Sequence, residues 1–275
     1  MRCPKAAPSP ITSFQLNLGD APLMNRSAAG RPILNFLLVC VSSTALAYRP
    51  FDSTDADVAE LGRVEVELGP VGYLWSHDIR GLYAPSLILN WGFAPNWELV
   101  LQGRNFIILD GPPGEPSPKL LETGLFAKGV LRHGTLQEGT GLSIATENGV
   151  LLPTVNDEPG VGLSSGWIFS QRWPAATVHF NAQLELSRAH NLDLFGGLIV
   201  EGPYSWTVRP VSEVFVEREF GASRQLSALV GGIWRLSDAL SLDAAVRGAR
   251  KDGLNLVELR VGLTWGFALF EVHRE

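Results

Sequence analysis

Between residues 254 and 267 apolar and polar positions alternate: Val257, Leu259, Val261, Leu263, Trp265 and Phe267 fall on one side, Glu258, Arg260 and Thr264 on the other. Period 2 is the signature of a strand with two unlike faces. The same split runs through 178–187, where Val178, Phe180, Ala182, Leu184 and Leu186 oppose His179, Asn181, Gln183, Glu185 and Ser187. It returns at 240–248 and at 63–68, where Val64, Val66 and Leu68 oppose Arg63, Glu65 and Glu67. Laid end to end, such segments predict about twelve strands, near 61–70, 83–93, 97–109, 119–132, 139–151, 161–173, 176–188, 192–201, 205–218, 223–236, 240–250 and 254–267. Two of them, 139–151 and 161–173, alternate loosely, and Pro210 lacks a ladder donor, which predicts a bulge in its strand.

Two all-β architectures share this pattern. A soluble sandwich turns its apolar face inward, whereas a membrane barrel turns it outward to lipid. Tryptophan position separates them. If the first strand ascends from the periplasm, Trp91, Trp97, Trp173, Trp206, Trp234 and Trp265 fall at periplasmic strand ends, with Phe93 and Phe267 beside them, and only Trp75 and Trp167 stand apart. An aromatic belt at one level suits a bilayer interface, and a sandwich gives no reason for it. Strands of about ten residues suit a tilted span. Tight links at 94–96, 174–175 and 237–239 against longer ones at 71–82 and 110–118 predict short periplasmic turns and longer extracellular loops. The fold class predicted is therefore a transmembrane antiparallel up-and-down β-barrel.

The N-terminus supplies an export signal. Met24 opens a basic stretch (Arg26, Arg31), an apolar run follows from Pro32 to Leu46, and Ala45-Leu46-Ala47 forms a cleavage site before Tyr48. The run is too short for a membrane span of about 20 residues. Residues 1–23 read as upstream sequence, 24–47 as the signal peptide, 48–60 as a short acidic periplasmic segment, 61–270 as the barrel and 271–275 as a tail. Removing residues 1–47 takes away Arg2, Lys5, Arg26, Arg31 and Asp20 and moves the formal charge from −6 to −9, which argues against a nucleic-acid partner. Both cysteines, Cys3 and Cys40, leave with it. At 45% hydrophobic and 18% charged, the chain is neither disordered nor a helical membrane bundle.

On the polar face the register places Arg104, Lys128, Arg172, His179, Glu185, Arg209, Glu213, Glu217, Asp243, Arg247, Glu258 and Arg260, the candidate lumen lining. Twelve strands leave a narrow lumen or one crossed by side chains, and unpaired charge there is costly. Asp243 and Arg247 are thus expected to pair with Glu258 and Arg260 on the next strand. Arg209, Glu213 and Glu217 recur every four residues on one face and are expected at the narrowest point, with Arg209 and Glu213 as a pair. Arg260→Lys reads as a mild change.

Motifs for chemistry are sparse. Gly162-Leu163-Ser164-Ser165-Gly166 fits G-x-S-x-G but leads into a strand, not the helix a nucleophile elbow needs. Asp52, Asp55, Asp57 and Glu60 miss the EF-hand spacing and read as a solvated acidic stretch. His179 shows no serine partner, and His77, His133, His190 and His273 form no ligand cluster. No catalytic, metal or cofactor residue is assigned. The expected partners are outer-membrane lipid and small solutes. The leading reading is a narrow passive outer-membrane channel of a Gram-negative bacterium; alternatives are a non-conducting structural or surface barrel and a lipid hydrolase.

The stretch Arg49-Pro50-Phe51-Asp52-Ser53-Thr54-Asp55-Ala56-Asp57-Val58, followed by Gly62 and RVEVELGP, resembles the mature start of the MetA-pathway of phenol degradation family of bacterial outer-membrane proteins. Pro95-Asn96-Trp97-Glu98-Leu99, LSDALSLDAAVRGAR and LRVGLTWGF are similar to it as well. The resemblance implies an outer-membrane location and passage of hydrophobic or aromatic compounds, and carries over no binding residues. Glu-Val-His-Arg-Glu after Phe270 departs from the usual terminal aromatic of such barrels. N-terminal sequencing of the membrane-extracted protein is expected to begin at Tyr48; an intact Met1 or Met24 would refute the signal assignment.

Overall fold

The computed structural model describes residues 49–270 apart from Asp78. The expected signal peptide and upstream stretch, both cysteines, Tyr48 and the tail with His273 lie outside the described residues.

Among the described residues twelve strands close into one antiparallel barrel, each paired with its sequence neighbours and β1 with β12. They are β1 (Arg63–Ser76), β2 (Arg80–Ala94), β3 (Trp97–Asp110), β4 (Lys119–Arg132), β5 (Ser143–Leu151), β6 (Gly162–Arg172), β7 (Thr177–Leu186), β8 (Leu192–Glu201), β9 (Val208–Glu219), β10 (Ser223–Arg235), β11 (Leu240–Lys251) and β12 (Leu254–Ala268). Closure leaves no strand edge unpaired, which hydrocarbon requires.

The alternation sorts the side chains. In β12 Val257, Leu259, Val261 and Trp265 face out while Glu258, Arg260 and Thr264 are enclosed. On β7 Phe180 and Leu184 face out, with His179 and Asn181 enclosed. The outer wall is an almost continuous apolar surface, with Val230 63% and Leu259 49% exposed, more than an aqueous protein leaves uncovered. This wall is lipid-facing, and the barrel spans a membrane.

Three sequence expectations change. The first strand does not stop at residue 70: a bulge between Leu68 and Val71, at Gly69-Pro70, resets the alternation, and β1 continues to Ser76. The link predicted at 71–82 shrinks to residues 77–79. Loop lengths then show no clean difference between the ends, since residues 133–142, which carry a 3-10 turn at Thr135–Gln137, lie at the end expected to have short turns. Pro210 needs no bulge. It pairs with Gly232 in register, and its carbonyl accepts from Gly202 N at 2.8 Å just beyond the end of β8, so its missing donor faces a place where the ladder has already finished.

Trp91, Phe93, Trp97, Trp234, Trp265 and Phe267 lie on outward positions at the ends of β2, β10 and β12 and the start of β3, and Trp173 and Trp206 in links at the same end. Val64 sits opposite both Trp91 and Phe267, and the Trp265 and Phe267 rings are 4.7 Å apart. Trp75 lies near the opposite end, and Trp167 faces out in the middle of β6.

Leu259→Arg puts a charge on the wall midway along β12 and is expected to cost about 2–4 kcal/mol of folding stability in lipid vesicles. An unchanged stability would show that this wall does not face hydrocarbon.

Candidate functional site: a lumen threaded by the N-terminal segment

Residues 49–60 do not lie free in the periplasm. The solvated acidic segment expected from sequence is instead enclosed: the stretch runs inside the barrel, where Ala56 has no exposed surface and Ser53, Asp55 and Ala59 are buried. Having no strand partner, its backbone depends on the wall's side chains. Asp52 N and Ser53 N donate to the two oxygens of Glu213, at 2.9 and 2.7 Å. Thr54 N donates to Asn181 Oδ1 (3.0 Å), and the same amide's Nδ2 donates back to Thr54 O (2.7 Å). Ala56 N donates to Ser170 Oγ (2.9 Å), Ala59 N to Glu98 Oε2 (2.6 Å), and Gln137 Nε2 reaches Ala56 O (2.7 Å). Side chains from four strands and the 3-10 turn thus hold one extended segment. Apolar contacts complete the seat, with Phe51 against Val211 and Ile233 and Ala56 against Ala145 and Ile168.

Glycine at two inward positions makes room. A side chain on Gly197 would collide with Ser53 Oγ, and one on Gly92 with the carbonyls of Ala59 and Glu60.

Many of the enclosed charges form ion pairs. Glu258 receives Arg247 (2.8 Å from Nε) and Arg260 (2.9 Å from Nε), with Arg104 at 3.4 Å. Arg104 also binds Glu122. Arg260 Nη1 donates to Pro50 O (2.7 Å) and Nη2 to Asp52 Oδ1 (2.9 Å), which ties this cluster to the threaded segment. Arg49 lies 3.6 Å from Asp243 and donates to Ser86 Oγ (2.9 Å). Lys128 sits between Glu98 (3.3 Å) and Asp55 (3.6 Å). Asp52 and Asp55 therefore turn to separate cations, and no cluster of three metal-ligating groups occurs among the described residues.

All twelve lumen candidates fall on the enclosed side, but their pairing is only partly the expected one. Arg247 meets Glu258 as the ladder implied. Asp243 instead meets Arg49, and Arg209 and Glu213 do not pair: Arg209 binds Glu201 at 2.6 Å while Glu213 is spent on two backbone N–H groups. Arg172 stacks on Tyr204, 4.0 Å from its ring centre. Glu185 accepts from Gln183, and Glu217 stands opposite Phe195 on β8.

Three adjacent strands assemble a serine, a histidine and a carboxylate that sequence reasoning missed. Ser170 Oγ lies 2.8 Å from His179 Nδ1, and His179 Nε2 lies 2.9 Å from Glu201 Oε1. The Glu201 carboxylate, which also pairs with Arg209, accepts the ring's Nε2–H; in the neutral ring Nδ1 then accepts the Ser170 hydroxyl proton, while Ser170 Oγ accepts the Ala56 N–H. Ser170 has no exposed surface, and through its hydroxyl the trio holds the threaded segment. Ser164 of the G-x-S-x-G match lies within β6, its hydroxyl accepting from Gln183 (2.7 Å).

Beside the threaded segment a cavity of about 150 Å³ remains, lined by Phe51, Ile88, Arg260, Glu122 and Tyr83 with Arg104 stacked on its ring at 4.3 Å.

No known family's sequence profile matches the chain, and no curated protein is similar to it in sequence. The fold is similar to that of the COG4313 outer membrane channel from Pseudomonas putida F1, with a TM-score of 0.57 and 8% identity over 79% of this chain and 100% of that one. Also similar are the KdgM porin (TM-score 0.49, 9% identity, 74% and 99% of the two chains) and the CymD monoaromatic hydrocarbon channel (TM-score 0.46, 9% identity, 78% and 90%). At these identities the likeness is one of fold.

Glu213→Ala removes the acceptor of two buried N–H groups, a loss worth about 1–3 kcal/mol per group. Amide exchange at Asp52 and Ser53 is expected to accelerate at least about tenfold, one decade per 1.4 kcal/mol, while β9 stays protected; unchanged exchange would contradict the anchoring. Arg260→Lys cannot reproduce bonds to Pro50, Asp52 and Glu258 together and is expected to loosen the segment, contrary to its mild appearance in sequence.

Proposed function

We propose that the protein is a narrow passive channel of the bacterial outer membrane, allied to the MetA-pathway of phenol degradation family and constricted from within by residues 49–60. The observation that carries this reading is the cavity beside the threaded segment, inside a closed barrel whose enclosed face is polar and crossed by ion pairs. A barrel serving only as a wall fragment has no use for so many buried charged groups, each of which costs desolvation unless paired. Arg104, Arg247, Arg260, Glu258 and Asp52 mix both signs, so the constriction offers no single-sign ring of the kind that selects ions. The cavity's lining combines Phe51, Ile88 and Tyr83, on whose ring Arg104 stacks at 4.3 Å, with Arg260, a mixture that suits small solutes with both an apolar, aromatic body and polar groups. The Ser170–His179–Glu201 trio gives the hydrolase reading its one structural feature, and the covered hydroxyl favours a structural role for it.

Planar-bilayer conductance and solute entry into proteoliposomes test the proposal. The wild type is expected to pass small solutes slowly, and deletion of residues 49–60 to raise conductance several-fold. If both proteins are as tight as empty liposomes while the barrel is folded, the structural reading replaces the channel. A deletion without effect on a conducting wild type would remove the segment's role as constriction.

A further inference from the structure

We propose that the outer wall across β6–β10 binds a net-anionic membrane lipid that carries a phosphomonoester, with an acyl chain in a groove of the wall and the phosphate held by Arg218 and Arg224. The site rests on the wall being lipid-facing and does not depend on whether the lumen conducts.

A groove of about 790 Å³ crosses the wall here. Its floor is low because Ala182 and Gly196, directly opposite each other in the β7–β8 ladder, are small. Trp167, Leu184, Leu194 and Val216 rise around them. An added side-chain carbon at Gly196 would have only Val216 Cγ2 nearby, at 3.8 Å, so this glycine is not demanded by packing. A flat barrel wall meets disordered lipid equally well everywhere; a trough of acyl-chain width favours one chain in one place.

At one end of the trough the wall turns basic. Arg218 and Arg224 face out on β9 and β10, directly opposite each other in register, and Leu194 stands beside Arg218 on β8. On β11 the outward Arg250 is opposite Leu226, one step diagonally from Arg224. Like charges facing each other across a ladder repel, and no ion pair to these three arginines occurs among the described residues. Arg218 lies 5.0 Å from the Phe220 ring, and the carboxylate of Asp252 is used on the backbone N–H of Arg224 at 2.9 Å. The cluster lies at the strand ends opposite the Trp91–Trp265 level, one outward position beyond Val216 and Leu226. Headgroups begin at that depth. A phosphate there would take forked hydrogen bonds from two guanidinium groups and relieve their repulsion, while the chain below fills the trough. Coincidence of trough and cations points to an amphiphile and not to a free anion, which would have no use for the trough.

Native mass spectrometry of the detergent-purified full barrel, with diphosphorylated lipid A, phosphatidylcholine or inorganic phosphate added separately, tests the site. Heat-modifiable migration on gels confirms that each variant is folded. The wild type is expected to retain one lipid A and to release phosphatidylcholine. Arg218→Gln with Arg224→Gln is expected to weaken lipid A retention at least about tenfold, the factor that one charge-assisted hydrogen bond is worth. Gly196→Leu, which fills the trough and leaves both arginines, is expected to weaken it as well. Equal retention by the double arginine variant, or of phosphatidylcholine by the wild type, would overturn the proposal. So would inorganic phosphate displacing lipid A at equal concentration with Gly196→Leu unaffected, the mark of a free-anion site. Failure of the wild type to insert into vesicles would sink the lipid-facing wall itself, a result distinct from loss of selectivity at this site.

Discussion

Hydrocarbon offers no hydrogen-bond partners, so a chain crossing it must satisfy every backbone N–H and C=O from within, and β1 closing on β12 meets that demand for the wall. The same constraint reappears inside. Once the wall encloses Glu98, Glu213, Lys128, Arg247, Glu258 and Arg260 away from bulk water, each needs a partner. Arg104, Arg247 and Arg260 converge on Glu258 and solve part of the problem. Glu98 and Glu213 are completed by N–H groups of a segment that has no strand partners of its own.

Wall and segment therefore stabilise each other. Without residues 52–59 the carboxylate of Glu213 would lose both its donors; without the wall the segment would be an acidic loop with no reason to fold. Any transport has to pass a constriction held by hydrogen bonds, each worth about 1 kcal/mol net. Such a seat is firm as a set and weak link by link, which suits a narrow path whose width is fixed by the segment.

Much of this was legible in the sequence because the face of a strand follows from period 2 alone, without knowledge of its neighbours. The twelve strands and the enclosed position of Arg260, Glu258 or His179 needed only that rule. The second half of β1 was hidden because the bulge at Gly69-Pro70 shifts the phase, so Leu74 turns inward and Trp75 outward. The threading of residues 49–60 was hidden for another reason: Asp52 and Glu213 are 161 positions apart, and an acidic stretch reads as solvated until its acceptors are placed around it. Glycine at inward strand positions, Gly92 and Gly197, was the available signal, since an empty inner position implies something passing close. Ser170 with His179 needed the β6–β7 register, which no local pattern states.

Constriction and charge pairing alike turn on the segment lying in the lumen, and a single cross-link tests it. Both natural cysteines precede residue 48, so a processed protein carrying Ala56→Cys and Ala145→Cys would hold one engineered thiol pair, at positions that pack together in the structure. Mild oxidation of intact cells, followed by electrophoresis of the unfolded protein with and without reductant, is predicted to show near-complete intramolecular cross-linking. Two free thiols, with the one at position 56 open to a water-soluble maleimide while the barrel is folded, would place the segment outside and contradict the account.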